Sequence, residues 1–223
     1  LALSGKKDIA PLIMWVILFA GIVVFASIRL CRLFKISNEY PIYLDITFVI
    51  LYLLWMIIEL RITKKDVNTE GKKTSDVMTC QLYGTGQALT ILSALYFPSA
   101  WQHKMNAFHF AGISLFCVGV CYRLWAIQTL GQFYSHRVRT LSQHQIVISG
   151  PYKFIRHPAY LGMVVANIGI SAYFFNWATI SVFLLILVPA IILRIAIEEK
   201  TLFKIEGYTE FAQKRKRLIP AIW

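Results

Sequence analysis

The chain has 223 residues, of which 57% are hydrophobic and 15% charged, with a formal net charge of +12. Soluble domains carry about 45–50% apolar and about 25% charged residues, so this composition excludes an ordinary soluble fold. The excess of base invites a nucleic-acid reading, and the placement of the charges argues against it.

A membrane-crossing helix needs about 20 mostly apolar residues, and six candidates follow in chain order. The first, 9–28, is as long as a full span. A signal-peptide core is about 7–15 residues, so this segment is expected to stay as a span. The second, 42–60, holds Asp45 and Glu59 near its ends, where acids are expected to reach the interface rather than to act in a site. Residues 66–76 form a charged, turn-rich linker that belongs in water.

The third segment, 80–97, contains Gly84-Thr-Gly86, which lacks the third glycine and the preceding strand of a dinucleotide loop. Its small residues suit close helix contact instead. The fourth, 107–127, carries Cys117 and Cys121 on one helical face with no histidine or acid within a turn. Packing is the better reading, and with Cys31 and Cys80 the four cysteines imply neither a zinc site nor a disulfide framework.

After it comes a polar stretch, 131–150, with Ser135, His136, Arg137, Arg139 and His144. Loops beyond about 12–15 residues are usually functional or disordered, and Ile146-Val147-Ile148 gives this one the means to fold back. Segments 159–175 and 177–197 are separated by Asn176 alone, which predicts a helical hairpin, with a kink at Pro189. Residues 198–213 then mix Leu202, Phe203, Tyr208 and Phe211 with charges, as an amphipathic or lid-forming segment does.

If six helices span and the N-terminus is cytoplasmic, only Arg29, Arg32, Lys35 and Lys104 face outward. The other nineteen of the 23 Lys and Arg face inward. This positive-inside bias predicts both termini in the cytoplasm of an integral membrane protein, in a bacterial inner membrane or the endoplasmic reticulum. Basic residues there suit membrane lipids, and nucleic acid is not an expected partner. The expected fold is all-α, a polytopic membrane helix bundle of about six transmembrane helices with a C-terminal hairpin and a cytoplasmic cofactor pocket. Residues 1–130 read as scaffold and substrate access, and 131–223 as the catalytic region.

The densest chemistry lies in Ser149-Gly-Pro-Tyr-Lys-Phe-Ile-Arg-His-Pro-Ala-Tyr160, where two prolines and a glycine stiffen a segment holding two cations, an imidazole and two phenols. Both ends of the hairpin face one side, so Tyr152, Arg156, His157 and Tyr160 are expected to meet Arg194, Glu198 and Glu199. Cations for a carboxylate, acids for an ammonium or ribose, and aromatic faces for an adenine or sulfonium match S-adenosylmethionine.

His144-Gln-Ile146-Val, Gly150-Pro-Tyr152, Arg156-His-Pro-x-Tyr160, Arg194-x3-Glu198-Glu199 and Arg217-Leu-Ile-Pro220, in this order, resemble the isoprenylcysteine carboxyl methyltransferase family. These are integral-membrane enzymes of the phospholipid-methyltransferase-like group. The resemblance runs from about Gly131 to the C-terminus. It implies an S-adenosylmethionine-dependent methyltransferase whose cofactor is held by His144, Ile146, Tyr152, Arg156, His157, Tyr160 and Glu198, with Pro158 shaping the pocket. Arg194 and Glu198 would be catalytic, Arg194 positioning the acceptor, and no metal is implied. The acceptor would be a lipophilic molecule entering from the bilayer: the carboxylate of an isoprenyl cysteine, or a phenol or phospholipid amine. A sterol-reductase-like enzyme using NADPH and a non-catalytic scaffold are the competing readings.

Overall fold

The computed structural model describes residues 10–36, 41–67, 77–134, 146–219 and 223. The described residues form eight α-helices: α1 (Ala10–Ile36), α2 (Ile42–Val67), α3 (Val77–Tyr96), α4 (Ala107–Leu130), α5 (Pro158–Tyr173), α6 (Trp177–Val182), α7 (Val188–Leu202) and α8 (Tyr208–Gln213). A π-helical turn, Phe183–Leu187, joins α6 to α7. The six apolar segments therefore become six helical columns in a bundle with aliphatic and aromatic side chains on its outer face.

Four columns, 13–35, 42–63, 107–133 and 177–202, are long and apolar enough to cross a membrane. Two fall short. Helix α3 carries Gln81, Gln87 and several hydroxyls, and α5 has 16 residues, about 24 Å at the usual rise and less than the roughly 30 Å of a hydrocarbon core.

Several helices outrun their apolar stretches. Helix α1 continues through Arg29, Arg32 and Lys35, where cations favour a helix C-terminus, and α2 continues to Val67. The linker expected from Asp66 therefore begins two residues late, and residues 68–76 lie outside the described residues.

Helices α4 and α5 meet backbone to backbone. A Cβ added at Gly162 would come within 2.7 Å of Arg123 N and of Gly119 O, and one at Gly112 within 2.9 Å of Gly169 O. Glycine is the only residue that admits this approach, and small residues play the same part between helices in lipid generally. Gly86 on α3 likewise faces the π turn, 3.2 Å from Leu187 Cα. Inside, Phe48, Tyr52, Phe116, Tyr173 and Phe174 form an aromatic core.

Asp45 and Glu59 correct the expectation that they reach the interface: they are 1% and 4% exposed. Asp45 Oδ2 accepts from Arg29 Nε at 2.5 Å and Asp45 Oδ1 from Tyr173 Oη at 2.8 Å. Glu59 accepts from Arg123 Nε at 2.6 Å and Nη2 at 3.1 Å, and from Trp55 Nε1 at 3.1 Å. A charge taken into hydrocarbon needs such a partner. The two pairs mark opposite ends of α2, and the second lies beneath the 150–157 loop, because Arg123 Nη1 also reaches Ala159 O at 3.3 Å.

The hairpin forms as expected. Asn176 caps α6 by accepting from Thr179 N at 2.8 Å. Pro189, which has no N–H to give four residues back, follows the π turn, where Val188 N bonds to Phe183 O instead.

Candidate functional site

The loop after Ser149 takes its shape from its backbone. Gly150 has φ +55°, and a Cβ there would press on Thr129 Oγ1 at 3.0 Å. Pro151 then starts a 3-10 turn, Gly150–Lys153, that drives Tyr152 into a small core with Ala126, Ile127 and Ala159, partly covered by Val147. His157 stands just before α5, and Pro158 opens the helix at the position where its missing N–H costs nothing.

The C-terminal tail docks beside this loop. Ile155 and Lys216 form a parallel bridge, Arg156 N donates to Lys216 O at 2.9 Å, and His157 N donates to Arg217 O at 3.0 Å. Loop, tail and α7 are then fastened at one carboxylate. Glu199, 2% exposed, takes Arg156 Nη1 at 2.6 Å and His157 Nε2 at 3.3 Å on Oε1, and Arg217 Nε at 2.7 Å on Oε2.

One residue earlier, Glu198 faces another way, since successive helical residues turn by about 100°. Its Oε2 accepts from Tyr160 Oη at 2.9 Å, and Tyr160 Oη accepts from Arg194 Nε at 2.9 Å. Arg194 is 3% exposed and also donates from Nη1 to Thr79 Oγ1 on α3 at 3.2 Å. The phenol of Tyr160 thus links a guanidinium on α7 to a carboxylate one turn later.

Tyr208, on α8, is buried against Phe203 and Phe211. Its Oη lies beside the Arg156 guanidinium, yet neither it nor Arg156 Nε makes a well-formed hydrogen bond among the described residues. Burial pushes the Tyr152 and Tyr208 phenols well up from their ordinary range, with Glu198 adding to it at Tyr152 and Glu199 and Glu198 at Tyr208. Both stay protonated at neutral pH and can serve as donors.

The structure therefore brings Tyr152, Arg156, His157, Tyr160, Arg194 and Glu198 to one end of the bundle. Ile146 joins them, its Cδ1 3.4 Å from where a Gly207 side chain would begin, at the turn between α7 and α8. That turn, with φ +79° at Gly207, divides the amphipathic stretch expected over 198–213 between the end of α7 and α8. His144 lies outside the described residues.

Glu199 was expected in the constellation and meets Arg156 and His157 there, with the helical phase separating it from Glu198. Sequence reasoning missed two participants. Thr79 sits in a segment read as scaffold, and no local signal could have placed it against Arg194. Arg123 read as one more inward-facing base, whereas a lone arginine inside an apolar run with an acid two helices away was the usable clue.

Comparison with known proteins places the likeness where the site is. The model of the isoprenylcysteine carboxyl methyltransferase (ICMT) family matches residues 112–204. The protein-S-isoprenylcysteine O-methyltransferase of Schizosaccharomyces pombe is 27% identical over 151 residues, covering 66% of this chain and 64% of that protein. The enzyme of the same name from Saccharomyces cerevisiae is 34% identical over 115 residues, 50% of this chain and 48% of its own length. The chain thus spans about half to two-thirds of these two relatives. Among solved structures, a eukaryotic intramembrane Ras methyltransferase ICMT aligns over 94% of this chain and 98% of its own, at 17% identity and a TM-score of 0.45.

Proposed function

We propose, from the resemblance to the isoprenylcysteine carboxyl methyltransferase family over residues 112–204, that this chain is an integral-membrane methyltransferase. It would use S-adenosylmethionine to methylate the carboxylate of an isoprenyl cysteine or a similar lipophilic acceptor. The observation that carries the reading is the fastening of loop, tail and α7 at Glu199, which holds the Tyr160–Arg194–Glu198 chain beside the stiff 150–157 loop.

The residues present fit the cofactor. Arg156 Nε and Tyr208 Oη are buried polar atoms without a partner among the described residues, at the place where a polar ligand would enter. Glu199 is engaged by three internal donors, so Glu198 is the acid better placed to receive an ammonium or ribose hydroxyl. His144, Ile146, Tyr152, Arg156, His157, Tyr160 and Glu198 would hold the molecule, which when bound supplies a methyl group on a sulfonium.

The chain's own work is orientation and dryness. Methyl transfer from a cation to an anion neutralises both, so bulk water, which solvates both, opposes it. Tyr152 and Tyr208, buried at the mouth, exclude solvent. Arg194, oriented by Tyr160 and Thr79, would hold the acceptor carboxylate in line with the methyl group, and alignment of this kind is worth orders of magnitude in rate. A carboxylate with an ordinary pKa near about 4 is already ionised, so no general base is needed. The charge bias supports a cytoplasmic position for this end, with both termini on that side. The proposed division at 130/131 assigns catalysis to the second part, to which α3 adds Thr79.

Two measurements on detergent-purified protein test the proposal. Calorimetry should show S-adenosylhomocysteine binding that competes with S-adenosylmethionine. Tritium from methyl-labelled S-adenosylmethionine should appear in N-acetyl-S-farnesylcysteine as a base-labile ester. Consumption of NADPH with no methyl transfer would overturn it in favour of a reductase.

A further inference from the structure

Tyr83 on α3 packs its ring against the core, while its hydroxyl bonds to nothing among the described residues. Its ring is partly buried and meets Tyr160 edge-on, with centroids 6.1 Å apart. Its Oη is sealed from solvent. A buried hydroxyl left without a partner is costly, so most are satisfied in native structures.

The surroundings say what this one is for. Tyr83 is one turn from Thr79, on the helix face that touches Arg194. Arg194, Arg123 and the Glu59 carboxylate that pairs with Arg123 all act on the phenol electrostatically, and with Arg123 matched by Glu59, the cation proposed to hold the acceptor is Arg194. A phenol with an ordinary pKa of about 10 carries its proton at neutral pH, and such a donor on the helix face that touches Arg194 suits an anionic oxygen. On the adjoining stripe of the same helix, Met78 and Leu82 are exposed at 80% and 40%. They give an apolar ridge for a lipid tail leading to the polar stripe of Thr79 and Tyr83.

We propose that Tyr83 is a specificity-determining residue for the acceptor, its phenol donating a hydrogen bond to one oxygen of the lipid carboxylate while the other oxygen takes the methyl group. This rests on the methyltransferase reading above. The phenol keeps its proton throughout, since a carboxylate acceptor has none to exchange. An acceptor already esterified lacks the negative charge this donor matches, so Tyr83 also favours acid over product ester.

Tyr83→Phe isolates the claim, because it removes an oxygen that supports no other group. If the hydroxyl were merely structural, the variant would be indistinguishable in activity and no less stable. The expected result is an unchanged or raised Tm, unchanged S-adenosylhomocysteine affinity, and kcat/KM for N-acetyl-S-farnesylcysteine reduced about ten- to a hundredfold, mainly through KM. Direct binding, which needs no turnover, separates the two levels. Wild type should bind N-acetyl-S-farnesylcysteine more tightly than its methyl ester, and the variant should lose that preference. A wild type that methylates normally beside a variant with unchanged KM and preference overturns the role of Tyr83 and leaves the methyltransferase reading standing. A wild type that neither binds nor methylates the probe overturns both.

Discussion

The two ends of the bundle use the same ingredients to opposite effect. At the end away from the loop, Arg29 contacts Asp45 directly, Tyr173 donates to the same carboxylate, and the guanidinium lies over the Phe174 ring at 4.8 Å. At the loop end, a tyrosine stands between the guanidinium of Arg194 and the carboxylate of Glu198. Direct contact in a dry setting fixes two helices to each other. A neutral hydroxyl in the middle leaves two moderate bonds, either of which a ligand can replace with a similar one. The difference teaches that a buried arginine is read by what stands next to it, since burial is the same at both ends.

The largest effect should come from breaking the far end. Asp45→Ala leaves Arg29 buried beside a missing partner, which typically costs about 3–5 kcal/mol. Thermal unfolding in detergent should show that loss, while any folded fraction binds S-adenosylhomocysteine as wild type does.

Arg194→Lys should do the reverse. Lysine keeps the charge but not the planar fork that aligns a carboxylate. Methyl transfer should fall by about a hundredfold, the size of effect that slight misplacement produces. Cofactor affinity and Tm should barely change. Near-normal turnover in this variant would remove Arg194 from the acceptor site and make the two ends alike.

The neighbouring acids give a sharper split. Glu198→Gln should weaken S-adenosylhomocysteine binding by about 1–3 kcal/mol, the cost of one contact to a charged group, with stability preserved. Glu199→Gln should lower the unfolding temperature, since Arg156, His157 and Arg217 lose their common anion. If the two variants exchange these phenotypes, the roles of the acids are reversed.

Tyr160→Phe should have the smallest effect, about 1 kcal/mol on either stability or cofactor affinity, because one neutral hydrogen-bonding group is lost. Rescue of turnover at raised acceptor concentration would separate loosened Arg194 from damaged cofactor binding.

Much of this was legible in the sequence, and for identifiable reasons. Run length and hydropathy located all six helical columns, and Asn176 marked the hairpin turn because a cap residue between two apolar runs has little else to do. The order of motifs from Gly150 to Arg217 brought loop, hairpin and tail together, and the paired backbones at 155–157 and 216–217 are the physical form of that order. Asp45 and Glu59 were misread because a position near a helix end says nothing about a partner on another helix. Thr79 was invisible for the same reason: its importance comes from α3 crossing α7, a tertiary fact. The choice between Glu198 and Glu199 needed a rotational phase that residue spacing alone could not supply across a π turn.

That π turn has a genealogical consequence. A π turn holds one residue more than the helix around it would need, and within this one Leu184 and Leu185 face outward at 52% and 75% exposure. Removing one of them would heal the helix without turning Arg194 away from α3. It would also leave Pro189 inside a regular helix, against the carbonyl four positions back, where proline is poorly tolerated. The extra residue and the proline are therefore structurally coupled. Descendants that lost the extra residue between Asn176 and Arg194 should have lost the proline with it, so alignments of this segment can be checked for that joint loss.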